Sequence, residues 1–178
     1  VSVSVSPNQD QVYAALRSFL LGVLPAGVPV LRALPNRVAM PSAVPGYVYI
    51  QAMLMERLRM PIDTYPEGTE EAPTNYTIEQ GIDVPFQIDC YGKHSGTWAG
   101  IISTTFEDTY GFNALAPNCA PLYCNEARMI PLTDEEKQYE ERWSLDGHVQ
   151  WNPVVTAPQQ YADELELTLK DVNVEFPT

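Results

Sequence analysis

Between Tyr47 and Met60, and again between Ile78 and Cys90, apolar residues recur at every second position. In the first run Val48, Ile50, Ala52, Leu54, Leu58 and Met60 are apolar, with Glu56 as the one interruption. The odd positions begin with Tyr47, Tyr49, Met53 and Met55 and end with Arg57 and Arg59. In the second run Ile78, Ile82, Val84, Phe86, Ile88 and Cys90 alternate with Glu79, Asp83, Gln87 and Asp89. A period of two marks half-buried strands, and the Pro-, Thr- and Glu-rich connection 61–76 reads as an exposed acidic loop. A strand of about 13 residues spans roughly 43 Å, whereas a compact chain of this length has a radius of gyration of only about 16 Å. Either a bulge splits the strands, or the long hairpin projects from the core as an arm that a second copy must cover. Tyr47, Tyr49, Met53, Met55, Arg57 and Arg59 are the candidate subunit-interface residues.

Arg142-Trp143-Ser144-Leu145-Asp146-Gly147-His148-Val149-Gln150-Trp151 places two tryptophans around an Asp-Gly pair, a strong hairpin signal. A two-residue loop would send the tryptophans to opposite faces. A three-residue loop, Leu145-Asp146-Gly147 with Gly147 at positive φ, pairs Ser144 with His148. Tyr139, Trp143, Val149 and Trp151 then share one face, with Arg142, His148 and Gln150 on the other. A one-residue slip flips every side chain, so the apolar pattern selects the second register.

Elsewhere the 3.6-residue period appears twice. Asn8 caps a helix carrying Val12, Ala15, Leu16, Phe19, Leu20 and Val23, with Gln11 three places after the cap and Pro25 and Gly27 at its end. Ser95 reads as the cap of a second helix, with Trp98, Ile101, Ile102, Thr105 and Phe106 on its stripe and an end near Gly111. Val28 to Leu34 reads as a short strand, residues 117–124 as a loop, and 165–176 as a last strand with a bulge at Lys170-Asp171. The expected architecture is one α+β domain over residues 1–178, mostly antiparallel sheet with two main helices and a long β-hairpin. The Val-Ser repeat of residues 1–7 is expected to be a mobile arm or an edge strand. No apolar run approaches a membrane span, and no signal peptide precedes the first helix.

Charge is divided unevenly along the chain. Residues 1–62 carry five arginines against Asp10 and Glu56, or +3; residues 63–178 carry five basic and 21 acidic residues, or −16, giving the net −13. Such a chain repels phosphate backbones, and its two parts are suited to meet across subunits. Cys90, Cys119 and Cys124 lack metal or redox spacing and read as buried free thiols of a reducing cytoplasm. Gly92-Lys93-His94-Ser95-Gly96 fails as a phosphate loop, because His94 stands where a hydroxyl should follow Lys93. It fails as a nucleophile elbow too, because Ser95 is not central between the glycines. Asp83, Asp89 and Glu141 read as outward carboxylates without a partner that would shift their pKa, and His148 as a solvent-side residue beside the turn. Neither catalytic residues nor a cofactor or metal site is expected. A small cytoplasmic enzyme using His94 and Ser95 is the alternative of a different class.

Several blocks are familiar in combination: Gln138-Tyr139-Glu140-Glu141-Arg142-Trp143, Val149-Gln150-Trp151-Asn152-Pro153-Val154-Val155-Thr156 and Pro158-Gln159-Gln160-Tyr161-Ala162-Asp163. Leu24-Pro25-Ala26-Gly27-Val28, Pro35-Asn36-Arg37-Val38 and Ile88-Asp89-Cys90-Tyr91-Gly92 with Ser95-Gly96 belong with them. Together they resemble the neck or tail terminator proteins of tailed bacteriophages with contractile tails. The resemblance implies a structural virion protein, assembled in the bacterial host cytoplasm, that forms a homo-oligomeric, hexameric ring. It implies as partners the tail tube protein, the neck or head-completion protein and the tail sheath protein, with DNA passing through the lumen unread. Another neck ring, such as a head-completion adaptor, is the alternative within the class.

Overall fold

A computed structural model describes residues 3–33, 41, 44–68, 74–133 and 139–159, without the side chains of 132, 133 and 139. The expected strand 165–176, the Pro35-Asn36-Arg37 turn and Asp134-Glu135-Glu136 lie outside the described residues. The chain is α+β, with three helices and mainly antiparallel sheets among the described residues.

Helix α1 (Gln9–Val23) starts where its sequence says it should. The Asn8 side chain accepts from the Gln11 N–H, and the Gln11 side chain accepts from the Asn8 N–H. This reciprocal capping box satisfies two donors that the first turn leaves open. Its buried face is Val12, Tyr13, Ala15, Leu16, Phe19 and Leu20. Helix α2 (Ser95–Phe106) is followed by a separate short helix, α3 (Thr109–Leu115), which contains Gly111 rather than ending before it. The N-cap of α2 is His94, without a side-chain capping bond. Ser95 is instead the first helical residue, fully buried, with its hydroxyl donating to the Glu141 carbonyl at 3.4 Å. Ile101 also leaves the expected stripe for solvent, and Ala99 takes the buried place.

The larger sheet has the order β2 (Val30–Arg32), β3 (Tyr47–Ala52), β7 (Ile82–Tyr91), β12 (Arg142–Trp151) and β8 (Ala120–Cys124). Short strands β4 (Glu56–Arg57) and β9 (Arg128–Met129) extend it by pairing with β7 and β12. Among the described strands, only β2 and β3 run parallel. Val48, Ile50, Val84, Phe86, Ile88, Cys90, Leu145 and Val149 form the sheet side of the core, against Leu16, Phe19, Trp98, Ile102, Phe106 and Leu115 from the helices. Burying a large apolar side chain contributes about 1.5–3 kcal/mol, so this layer is the main stabilising feature.

The Asp-Gly pair does not turn the chain. Strand β12 runs straight through it, and every residue from Arg142 to Trp151 is paired with β7 from Tyr91 back to Ile82. The positive-φ glycines are Gly27, Gly46 and Gly92, and Gly147 is not among them. Gly147 is required for packing instead: a Cβ there would sit 3.0 Å from Cζ of Phe106. Trp143 and Trp151 do share a face, because a straight strand and a three-residue turn preserve the same parity. The stretch read as a loop, 117–124, supplies β8 on the other side of β12.

The long hairpin is present and bulged. Ala52 lies opposite Phe86 and the Met53 N–H donates to the Pro85 carbonyl, but Glu56 lies opposite Asp83. Leu54 and Met55 therefore both face Val84, one residue too many, at the level of a proline that has no N–H to give. Beyond the bulge, Arg57 is opposite Ile82 and no longer on the side of Tyr47 and Tyr49.

The hairpin then enters a second, four-stranded sheet. Its order is β1 (Ser4–Ser6), β13 (Val154–Pro158), β6 (Asn75–Glu79) and β5 (Ile62–Thr64), all antiparallel. Strand β5 lies inside the stretch expected to be acidic loop, and residues 69–73 are not described. Three chain segments pass between the sheets at one level: Leu58–Pro61, Gln80–Gly81 and Asn152–Pro153. The Gln80 side chain donates to the Arg59 and Gly81 carbonyls, the Gln80 N–H to the Pro153 carbonyl, and Arg59 pairs with Glu79. A two-stranded ribbon, β10 (Leu132–Thr133) with β11 (Tyr139–Glu140), completes the described strands.

Candidate interaction surface

The outer face of the larger sheet is knit by polar pairs. Arg142 donates to Asp89 at 2.8 Å, both largely buried, and its guanidinium lies over the Tyr91 ring. Burial disfavours the Arg142 charge, but the Asp89 hydrogen bond and charge outweigh it and hold the proton more tightly than usual. The His148 Nδ1 lies 2.9 Å from Asp83, and the imidazole stacks on Tyr123 with ring centroids 4.1 Å apart. Gln87 reaches both Asp89 and Ser144. Asp83 and Asp89 thus have partners on a neighbouring strand, and His148 is enclosed rather than solvent-side. Local pattern carries no signal for the Arg142–Asp89 and His148–Asp83 pairs, because they connect different strands.

Ser95 is sealed beneath Glu141, and no described Ser or Cys is bonded to the imidazole of His148. No group of His, Cys, Asp or Glu among the described residues could hold a metal. Gly92-Lys93-His94-Ser95-Gly96 is a junction: Gly92 turns the chain at φ 103°, and Gly96 leaves room for Trp143, whose Nε1 would lie 2.9 Å from a Cβ. An open, mostly apolar cleft of about 390 Å³ lies between Pro25, Pro45, His94 and Trp98, and another of about 350 Å³ beside Pro7, Phe112 and Asn152 is lined by polar and apolar groups alike.

The surface that stands out is the segment from Met53 to Tyr65. Met53, Leu54, Met55, Leu58, Met60, Ile62 and Tyr65 are all exposed, Leu54 at 68% and Met60 at 82%. Isolated exposed apolar residues are ordinary, but seven on 13 consecutive positions make a candidate interaction surface. Of the six expected interface residues, Met53, Met55 and Arg57 lie on it. Tyr49 is half-buried beside it, and Arg59 is held in the passage between the sheets by Glu79. Tyr47 is 1% exposed and stacked on Tyr91, so it belongs to the interior. Leu54, Leu58 and Met60 had the look of core positions, and the bulge is what turns them out.

A family model described as phage neck terminator protein matches residues 10–176, nearly the whole chain. The chain belongs to the phage neck terminator protein family. No curated protein matches the sequence. A neck terminator is a structural phage protein that works among other neck and tail proteins. Consistent with that, no described helix of this neck terminator is long and apolar enough to cross a membrane.

The thiols of this neck terminator are free, and burial pushes each up to about 12 from the ordinary value near 9. Asp89 adds to the shift at Cys90, and Glu107 and Asp146 add to it at Cys124. A raised folded-state value stabilises the fold fully below the unfolded value. That contribution is lost as pH rises from about 9 to about 12. Iodoacetamide at pH 8 should therefore modify the folded protein roughly tenfold or more slowly than the urea-unfolded chain. Equal rates by mass spectrometry would contradict this burial.

Proposed function

We propose that this neck terminator assembles into a hexameric ring that caps the tail tube and ends its polymerisation. The ring joins the tail to the neck and head-completion proteins, and in a contractile tail it holds the uppermost sheath ring. DNA passes through its lumen without being read, and the net charge of −13 disfavours trapping it. The virion is its place of work.

The observation that carries this reading is the exposed apolar segment 53–65. A stable interface takes about 800 Å² from each partner, and seven large side chains on a strand pair can supply most of it. In this assignment Met53, Leu54, Met55, Arg57, Leu58 and Met60 meet the neighbouring subunit, while Tyr47 and Arg59 fix the base from which they project. Arg57 lies in the +3 part of the chain and faces the acidic part of the next copy.

Substituting Leu54→Asp together with Met60→Asp tests this directly. Both side chains are exposed, so thermal stability of the monomer should change by less than about 1 kcal/mol. Ring mass in sedimentation should disappear, and tail tubes assembled with the variant should overgrow. Rings of undiminished affinity and tubes of normal length would remove the segment from the interface.

A further inference from the structure

The four-stranded sheet has two outer strands, β1 and β5, and among the described residues neither has a partner on its outer side. Every residue of both is exposed. Open edges of this kind are a liability for a protein that remains alone. Here they also match. All the pairings are antiparallel, so β1 runs with β6 and against β5. A neighbouring copy that brought its β1 beside β5 would continue the antiparallel order without reversal.

The faces match as well. Cross-strand partners place Tyr65, Asp63, Tyr76, Ile78, Val155 and Val5 on one side of the sheet. Ser4, Ser6, Thr64, Thr77, Thr156 and Glu79 are on the other, together with Ile62 and Val154. Strand pairing must keep these sides separate. The central register that does so sets Asp63 opposite Val5 of the next copy, Tyr65 opposite Val3, and Thr64 opposite Ser4. Val5 is 46% exposed and Tyr65 61%, so both have apolar surface left to cover.

We infer that copies of this chain join head to tail through their four-stranded sheets, β5 of one subunit pairing antiparallel with β1 of the next. The inference rests on the ring reading and says where the ring is sewn. Because the two edges differ, the contact is heterologous and closes by rotation instead of stopping at a dimer. Backbone hydrogen bonds then supply direction and register, and the apolar segment leading into β5 supplies the buried area.

Engineered cysteines read this out. Two double variants, Val5→Cys with Asp63→Cys and Ser4→Cys with Thr64→Cys, are oxidised in the presence of tail tubes. Successive pairs alternate between hydrogen-bonded and open, so one of the two has the closer spacing. Within one chain β1 and β5 are three strand spacings apart, about 14 Å, too far for a disulfide. Any new crosslink therefore joins two copies. The expected result on denaturing gels is a ladder of multimers ending at the ring. Mixing the two single variants of one pair should give dimers, either single variant alone should give none, and Ser4→Cys with Asp63→Cys should give none because those positions face opposite sides. Ring mass by sedimentation with monomers on the gel for both pairs would overturn the strand joint and leave the ring standing. Absence of ring mass with and without tubes would overturn both. Dimers from a single variant alone would overturn the head-to-tail arrangement.

Discussion

Gly46→Ala is expected to destabilise the chain by about 4 kcal/mol, lowering Tm by roughly 10 °C. Two effects combine at this site. Gly46 has φ 111°, in a region where side chains other than glycine's are strained. The added Cβ would also lie 2.4 Å from the Tyr91 carbonyl oxygen and 2.8 Å from Cη2 of Trp98. Neither neighbour can yield cheaply. Tyr91 is paired with both Tyr47 and Arg142, and Trp98 is buried in the core. A thermal melt of the variant within about 1 kcal/mol of the parent would mean that the turn before β3 can rearrange.

Phe106→Ala should cost about 3–5 kcal/mol, because it empties a fully buried aromatic site between α2 and β12. The same ring explains Gly147. Gly147→Ala brings a methyl to 3.0 and 3.2 Å from the ring carbons, and overpacking should cost about 1–3 kcal/mol. Phe106→Leu alone leaves a smaller cavity. Combined with Gly147→Ala it should cost less than the two single changes added, because the new methyl occupies space that the phenyl group vacates. Strictly additive costs in urea titrations would show that the glycine serves the strand for another reason.

Gly147 also shows what the sequence could and could not reveal. Alternation reports only the parity of positions. It eliminated the two-residue turn, which would have separated the tryptophans, but it could not distinguish a three-residue turn from no turn. What decides it is β7, which pairs with β12 along its whole length, while Phe106, 41 positions away in sequence, packs over the glycine. Local signals fared better: Asn8 with Gln11 begins α1 as written, since both halves of the capping box lie within one turn. Ser95 looked like a cap because serine before an amphipathic stripe usually is one, yet its hydroxyl donates to the carbonyl of Glu141, between β11 and β12 and 46 positions away. The exposed apolar segment was half legible. Met53 and Met55 were placed correctly outside the core, whereas Leu54, Leu58 and Met60 read as interior. Their exposure follows from a bulge opposite Pro85, and hydrophobicity does not say which chain will cover it.

The shared passage from one sheet to the other has a mechanical meaning. Strands β5, β6 and β13 continue β4, β7 and β12, so three covalent chains cross the same level side by side. Tension along the strands is carried by peptide bonds in parallel. It does not unzip hydrogen bonds one at a time, as pulling a lone hairpin from a sheet edge would. Arg59, Gln80 and Glu79 tie the three at that level, so they yield together or not at all. The smaller sheet is thereby a stiff extension of the larger one, able to pass force into the body of the protein without sliding one strand past another.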